Sequence, residues 1–226
     1  MRISFDDIVS ILEDAVQKDL DYHVLVCGNN GSGKSALAIT LANMLSYRLK
    51  YGVRMIALQE EFLEAIGGEK QILVLDEGES ILGIRDSQLV VGNIINMIKI
   101  NRFKQNLMIV NAISPSKVFK EYREEKIKMI IHVFYRDETK SVASVFFSDP
   151  LLTTHTFHQE LEEILDSSYS SLEEYGYIVE NSHFFKGYLV LRREDVVGYE
   201  EYRKWKEEMA NRINSLIKEK LTKRKK

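Results

Sequence analysis

Eight consecutive residues, Gly28 to Ser35, read GNNGSGKS and carry the densest chemical information in the chain. They fit the spacing G-x-x-x-x-G-K-[ST], with Gly28, Gly33, Lys34 and Ser35 at the fixed positions. Glycine lets the backbone fold around an anion with its N–H groups pointing inward. A helix starting directly after the loop adds unpaired N–H groups and the positive end of its dipole. The expected cradle runs through Gly28, Asn29, Asn30, Gly31, Ser32, Gly33, Lys34, Ser35 and Ala36. In it, Lys34 reaches the β and γ phosphates of a nucleoside triphosphate, and the Ser35 hydroxyl ligates Mg2+. An incidental Gly-rich turn would not need a strand before it and a helix after it, and this sequence supplies both.

A second constellation is Asp76-Glu77, which follows the apolar run Ile72 to Leu75. An Asp at the tip of a buried strand beside a phosphate loop can hold Mg2+ through water. A Glu directly after it is placed to polarise an attacking water, the mark of hydrolysis rather than phosphoryl transfer to a metabolite. The bland reading is a solvated acidic turn. Asn111, near the end of the run LMIVNAI, is a polar residue in an apolar setting and needs a partner. It is a candidate sensor of the γ-phosphate or the water, or a capped turn residue. Arg85 and Arg102 are candidates to stabilise transition-state charge on a neighbouring subunit's nucleotide. Either could equally be a solvated helix-end cation or a DNA phosphate contact.

These residues need elements to hold them. Ser4 and Asp7 cap a first helix reaching about Lys18, with Phe5, Ile8, Val9, Leu12 and Val16 at helical spacing. Strands are expected at 22–27, 53–58, 71–77 and 107–113, with helices at 36–50, about 60–66 and 88–103. Pro115 is expected to open a charged helix to about Lys126. Residues 129–136 and 141–147 flank Asp137 to Lys140 as a hairpin. Strand–helix alternation of this kind predicts a parallel α/β sheet. After Pro150 the composition shifts to Tyr, Glu and Lys, giving a helix at 157–166, a strand at 183–191 and a long helix from Asp195. The division is an N-terminal helix (1–20), a core (21–150) and a C-terminal α+β or helical extension with a basic tail (151–226).

Composition narrows the field. The 226 residues fit one sizeable domain plus an appendage, and 45% apolar residues suffice for a core. The net charge of −3, from 31 basic and 34 acidic residues, excludes a uniformly basic nucleic-acid coat. Cys27 is the single cysteine, so neither an intrachain disulfide framework nor a Cys-based zinc site is available. No apolar run approaches the length of a membrane span, and the acidic, amphipathic N-terminus has no signal-peptide pattern. The expectation is a cytoplasmic chain without a membrane partner.

Taken together, GNNGSGKS, ILVLDE, the span RDSQLVVGNIINMIKINRFKQNLMIVNAISPS and IIHVFYR resemble the additional-strand, catalytic-Glu class of P-loop ATPases. Within it they are similar to the HerA/FtsK-like and zonula-occludens-toxin-like ATPases of viruses, plasmids and archaea. The likeness covers about residues 20 to 150. It implies a RecA-like core, a hexameric ring, and ATP-driven DNA movement in packaging, conjugation or replication. Many members carry Gln as sensor; the nearest match here is Asn111, or Ser114.

The leading expectation is therefore an oligomeric, DNA-handling motor that hydrolyses ATP with Mg2+. The alternative is a regulatory AAA+-like switch of the replication-initiator or helicase-loader type, which docks a partner without translocating. A small-molecule kinase is disfavoured by Glu77. Lys218, Lys220, Lys223, Arg224, Lys225 and Lys226 could touch phosphate backbone or form a solvated terminus. Tyr169, Tyr175, Tyr177, Tyr188, Tyr199, Tyr202, Phe184, Phe185 and Trp205 read mainly as a small packed core, with base stacking as the alternative.

Overall fold

A computed structural model describes residues 1–20, 22–82, 88–148 and 154–223. The first helix, α1 (Phe5–Gln17), begins at Ser4, whose hydroxyl accepts from the Asp7 N–H while Asp7 accepts from the Ser4 N–H. The strands are β1 (His23–Cys27), β2 (Gly52–Ile56), β3 (Gln71–Leu75), β4 (Leu107–Ala112), β5 (Ile127–Arg136), β6 (Lys140–Phe147) and β7 (Phe185–Arg192). Between and after them lie α2 (Lys34–Leu49), α3 (Gln59–Ala65), α4 (Gln88–Ile100), α5 (Lys120–Lys126), α6 (Thr154–Leu165), α7 (Leu172–Glu180) and α8 (Tyr199–Lys223).

All seven strands form one sheet in the order β2-β3-β4-β1-β5-β6-β7. The first five in that order run parallel; β6 is antiparallel to β5, and β7, antiparallel to β6, runs in the direction of the first five. The expected mostly parallel α/β sheet flanked by helices is what forms. Strand β4 sits between β1, which feeds the phosphate loop, and β3, which ends at Asp76.

Because side chains alternate along a strand, each parallel strand serves two cores. Leu25, Cys27, Leu73, Leu75, Met108 and Val110 face one side, against Phe62 of α3, Ile94, Ile95 and Ile98 of α4, Tyr122 of α5 and Phe157 of α6. Val24, Val26, Ile72, Val74 and Ile109 face the other, against Ile8 and Leu12 of α1 and Leu37, Leu41 and Leu45 of α2. The run ILVL lacks alternation because both faces are covered.

Several boundaries differ from expectation. Pro115 opens only a 3-10 turn (Pro115–Lys117), and α5 starts after Val118 and Phe119, whose extended backbone lets Phe119 N–H bond the Leu82 carbonyl. Helix α4 ends at Ile100, so Arg102 lies in a separate 3-10 turn. Helix α7 was not expected; Ser171 caps it by accepting from Glu174 N–H, and Gly176 in its interior weakens its signal. The last helix starts at Tyr199 rather than Asp195, because residues 196 to 198 run as a strap along α2.

The segment after residue 150 completes the core rather than standing beside it. Strand β7 pairs with β6 over most of its length, and Phe157, Leu161, Tyr175 and Val179 are buried in the same cluster as α3 and α4. The N-terminus covers the far side of β7: Ile3 N–H bonds the Tyr188 carbonyl and Tyr188 N–H bonds that of Met1. Most of the C-terminal aromatics pack, though Tyr177 is 73% exposed.

Two histidines are stored neutral. His158 on α6 bonds the Ile127 carbonyl at 2.9 Å, and burial pushes it down to about 4. His132 is likewise pushed down to about 4 by burial, and its Nδ1 is 2.7 Å from the Tyr175 hydroxyl.

Two predictions follow from this packing. Phe157→Ala should cost about 3–5 kcal/mol, and it should move the denaturation midpoints read by Trp205 fluorescence and by far-UV circular dichroism together. An independently melting C-terminal segment would separate them. Stability should also fall as pH drops from about 6.5 toward 4, because the unfolded chain takes up protons that the folded imidazoles exclude. His158→Gln should flatten that slope in urea titrations at a series of pH values.

Candidate functional site

The site forms where β1, β3 and β4 end together. Cys27 closes β1, and the chain turns at Gly28, whose N–H is tied to the Ile113 carbonyl just past β4. Gly28 has φ +138°, and a Cβ there would sit 2.2 Å from the Val133 carbonyl oxygen. Only glycine fits that approach. The loop then runs to Gly33, the N-cap of α2, which offers no side-chain cap to the first N–H groups of that helix. Those donors are free to meet an anion at the loop. The Ser32 hydroxyl is buried with no partner.

Lys34 is half-buried, and its ammonium donates to the Gly28 carbonyl at 2.7 Å and the Asn29 carbonyl at 2.9 Å. Burial is the largest influence on it and holds its pKa below the ordinary value, partly offset by neighbouring acids that include Glu79 and Asp76. Ser35 Oγ donates to Asp76 Oδ1 at 3.0 Å. Ser35 at the end of the loop is therefore in direct contact with Asp76.

Asp76 is only 5% exposed. Asn111 Nδ2 donates to its Oδ1 at 3.1 Å. Its Oδ2 accepts from the Tyr202 hydroxyl and the Lys206 ammonium, each at 2.9 Å. Burial alone would raise its pKa, but the hydrogen bond and charge of Lys206, with Asn111 and Tyr202 as further donors, outweigh it and hold the carboxyl below the usual range. Asn111 Oδ1 is buried without a partner. Glu77 contrasts with its neighbour: its side chain is 74% exposed, with Oε1 3.9 Å from the Lys206 nitrogen. Its backbone is left-handed (φ 55°, ψ 50°), an arrangement that costs a non-glycine residue roughly 1 kcal/mol and recurs at functional sites.

Asn30, Gly31, Lys34, Ser35, Asp76, Glu77, Glu79, Asn111 and Lys206 line one open cleft of about 310 Å³. A volume near 300 Å³ suits a small ligand. Ser35 and Asp76 present oxygen donors side by side, the set that a hard divalent cation takes, so these residues fit Mg2+.

Other expected residues fall elsewhere. Arg102 precedes β4 and donates to the Asp19 carbonyl at 2.9 Å, which puts it at the opposite end of the parallel strands from the phosphate loop. Its basic neighbours are engaged: Lys99 with Glu125 and Glu121, Lys104 with Glu69. Arg85 lies outside the described residues, as do Arg224, Lys225 and Lys226. Cys27 is fully buried, and burial pushes its thiol up.

Sequence reasoning missed four contributors. Arg136, at the end of β5, donates to the Gly31 carbonyl at 2.8 Å and steadies the loop. Glu79 accepts from the Ile113 N–H at 3.0 Å. Tyr202 reads in the sequence as one aromatic among several, and Lys206 as one of many helix-face lysines. The spacing Tyr202, Lys206, Met209 marks one helical stripe, but nothing local says what that stripe covers.

No protein-family model and no curated protein matches the chain. Solved structures do. The N-terminal domain of zonular occludens toxin from Neisseria meningitidis is 12% identical with a TM-score of 0.43, over 61% of this chain and 89% of that one. PCH-2 from C. elegans is 22% identical with a TM-score of 0.43, over 57% of this chain and 42% of that one. The genome packaging NTPase B204 of Sulfolobus turreted icosahedral virus 2, in complex with ATP-gammaS, is 14% identical with a TM-score of 0.37, over 53% and 77%. No helix among the described residues is long and apolar enough to cross a membrane.

Two loop glycines should respond differently to a methyl group. Gly28→Ala meets the Val133 carbonyl and should cost more than about 2 kcal/mol. Gly31→Ala, at φ +78° with nothing within 4 Å, should cost only about 1 kcal/mol of backbone strain. Thermal unfolding of the two variants, side by side, reads the difference.

Proposed function

We propose that the chain is an ATP-binding and ATP-hydrolysing P-loop NTPase, and that it works as an oligomeric DNA motor. The observation that carries the ATPase reading is the convergence of Lys34, Ser35, Asp76 and Glu77 on one cleft, with Ser35 and Asp76 in hydrogen-bond contact. The sheet order supports it further, since β4 lies between the strand of the loop and the strand of the acids.

In this reading the loop amides from Gly28 to Ala36 and the ammonium of Lys34 hold the phosphates. Lys34 gives up its two carbonyl partners for phosphate oxygens, a stronger pairing because the acceptor is charged. Ser35 and Asp76 hold Mg2+, which when bound neutralises charge on the outer phosphates. Glu77, exposed and unencumbered by burial, accepts the proton of the attacking water. Asn111 keeps one amide donor on Asp76 and orients that carboxylate.

The motor reading rests on the motif resemblance and on the basic end of α8. A neighbouring copy would have to supply the trans cation, and Arg102 and Arg85 are the candidates. The net charge of −3 makes any DNA contact local rather than global.

Lys34→Ala should abolish nucleotide binding. Glu77→Gln should keep binding and slow phosphate release by about a hundredfold or more; normal turnover by that variant would remove Glu77 from its role. Phosphate release should rise with added single- or double-stranded DNA. Absence of both DNA binding and self-association at micromolar protein, in a mass measurement run alongside, would sink the motor while leaving the ATPase.

A further inference from the structure

Helix α8 lies against the cleft and sends Lys206 into it, with the Tyr202 hydroxyl buried on Asp76 behind it. Lys206 Nζ is 2.9 Å from Asp76 Oδ2, 3.1 Å from the Tyr202 hydroxyl and 3.9 Å from Glu77 Oε1. Its side chain is about half exposed and lines the cleft with Lys34 and Ser35. We propose that Lys206 is a second nucleotide-binding lysine of this site, serving as counter-ion to Asp76 in the nucleotide-free chain and turning onto the terminal phosphate when a metal-bound nucleoside triphosphate enters. The proposal rests on the nucleotide reading of the cleft given above.

Three observations carry it. First, Lys206 sits on the carboxylate oxygen of the residue that fits the metal. Ser35 meets Asp76 Oδ1 and Lys206 meets Oδ2. A dication gathered by Ser35 and Asp76 would repel the ammonium a few ångströms away and weaken its hold on the shared carboxylate.

Second, the helix does not leave with it. Val197 N–H donates to Thr40 Oγ1 at 3.3 Å, and Asn43 Nδ2 donates to the Val197 carbonyl at 3.2 Å. Tyr202 and Met209 are buried on either side of Lys206, and Arg212 pairs with Glu61 at 2.6 Å. The Val197 strap, buried Met209 and the Arg212–Glu61 pair hold α8 over the cleft without Asp76, while the Tyr202 hydroxyl adds a bond to that carboxylate. A lysine on a flexible four-carbon stem then moves its charge while its Cα stays in place.

Third, the charge balance favours the phosphate as its new partner. A triphosphate carries more negative charge than one lysine and one dication neutralise, and Lys206 lines the same cleft as Lys34, Asp76 and Glu77. A helix tether alone would need neither the cleft-lining position nor the half-exposed side chain.

The test uses the full chain and Lys206→Met, with Lys206→Arg as the conservative variant. Calorimetry with Mg2+ measures affinity for a non-hydrolysable ATP analogue and for ADP. The ratio of the two affinities should fall roughly ten- to hundredfold in Lys206→Met, the worth of a charged hydrogen bond to the missing phosphate, and should be largely restored in Lys206→Arg. An unchanged ratio overturns the assignment. Mn2+ titration by electron paramagnetic resonance, without nucleotide, should show tighter binding to Lys206→Met because the competing cation is gone. Equal or weaker Mn2+ binding overturns the counter-ion role. If the unaltered chain bound neither nucleotide, the underlying reading of the cleft would fail, an outcome distinct from an unchanged ratio.

Discussion

A single buried carboxylate, that of Asp76, sets the terms for everything around it. Moving an isolated carboxylate out of water costs several kcal/mol unless donors replace the water. Here the donors come from four places in the chain: Ser35 at the start of α2, Asn111 near the end of β4, and Tyr202 and Lys206 on α8. One ionised group thus ties the phosphate loop, two strands and the C-terminal helix to a common point. Removing any one donor leaves a charge underserved, so the four segments are energetically coupled at the cleft. The residue that fits the metal is also one of the points at which the C-terminal helix is fastened.

The sheet order explains why the cleft has room. Adjacent strands lie about 4.8 Å apart, so with β4 between them the ends of β1 and β3 are separated by about 10 Å. Direct neighbours would have pressed the loop against the acidic pair. The inserted strand opens a gap and floors it with Asn111, the one polar side chain in an otherwise buried strand. Ser35, the second residue of α2, spans the gap to reach Asp76 Oδ1 at 3.0 Å. The same order lets β1 and β3 each lie inside the sheet, where rigid neighbours fix the two strand ends from both sides.

What was legible in the sequence was what is encoded locally. The phosphate loop, the Asp-Glu pair and the strand–helix alternation are each carried by residues within a short span, so spacing alone revealed them. The two-sided burial of β3 was visible in ILVL for the same reason. The missing parts are those that depend on distant chain. Lys206 meets Asp76 across 130 residues, and no periodicity states that a tyrosine-lysine stripe will fall on a carboxylate rather than on solvent. The composition change at Pro150 suggested an appendage because polar, Tyr-rich sequence resembles a surface. Yet Phe157, Tyr175 and Val179 find their burial under a sheet formed earlier in the chain. For Arg102 the sequence states only that it follows an apolar helix. The parallel topology sends it to the other end of the strands, since the helix that precedes β4 must return the chain to the bottom of the sheet before β4 can rise.

The acidic pair shows how one strand tip separates two roles. Asp76 continues the ladder, donating its N–H to the Ile56 carbonyl at 3.0 Å, and so its side chain is trapped inside. Glu77 comes one residue later, where the chain has left the sheet and turns through a left-handed conformation into the 3-10 turn. That turn is braced at its other end by Glu79, which accepts the Ile113 N–H, so the strained residue is held between two fixed points. The outcome is a buried, donor-saturated carboxylate beside a solvated and unsaturated one. Like functional groups thereby acquire opposite settings: the first is held by four donors inside the fold, and the second stands in solvent. The environment, not the residue type, decides which is which, and the decision is made by where β3 stops.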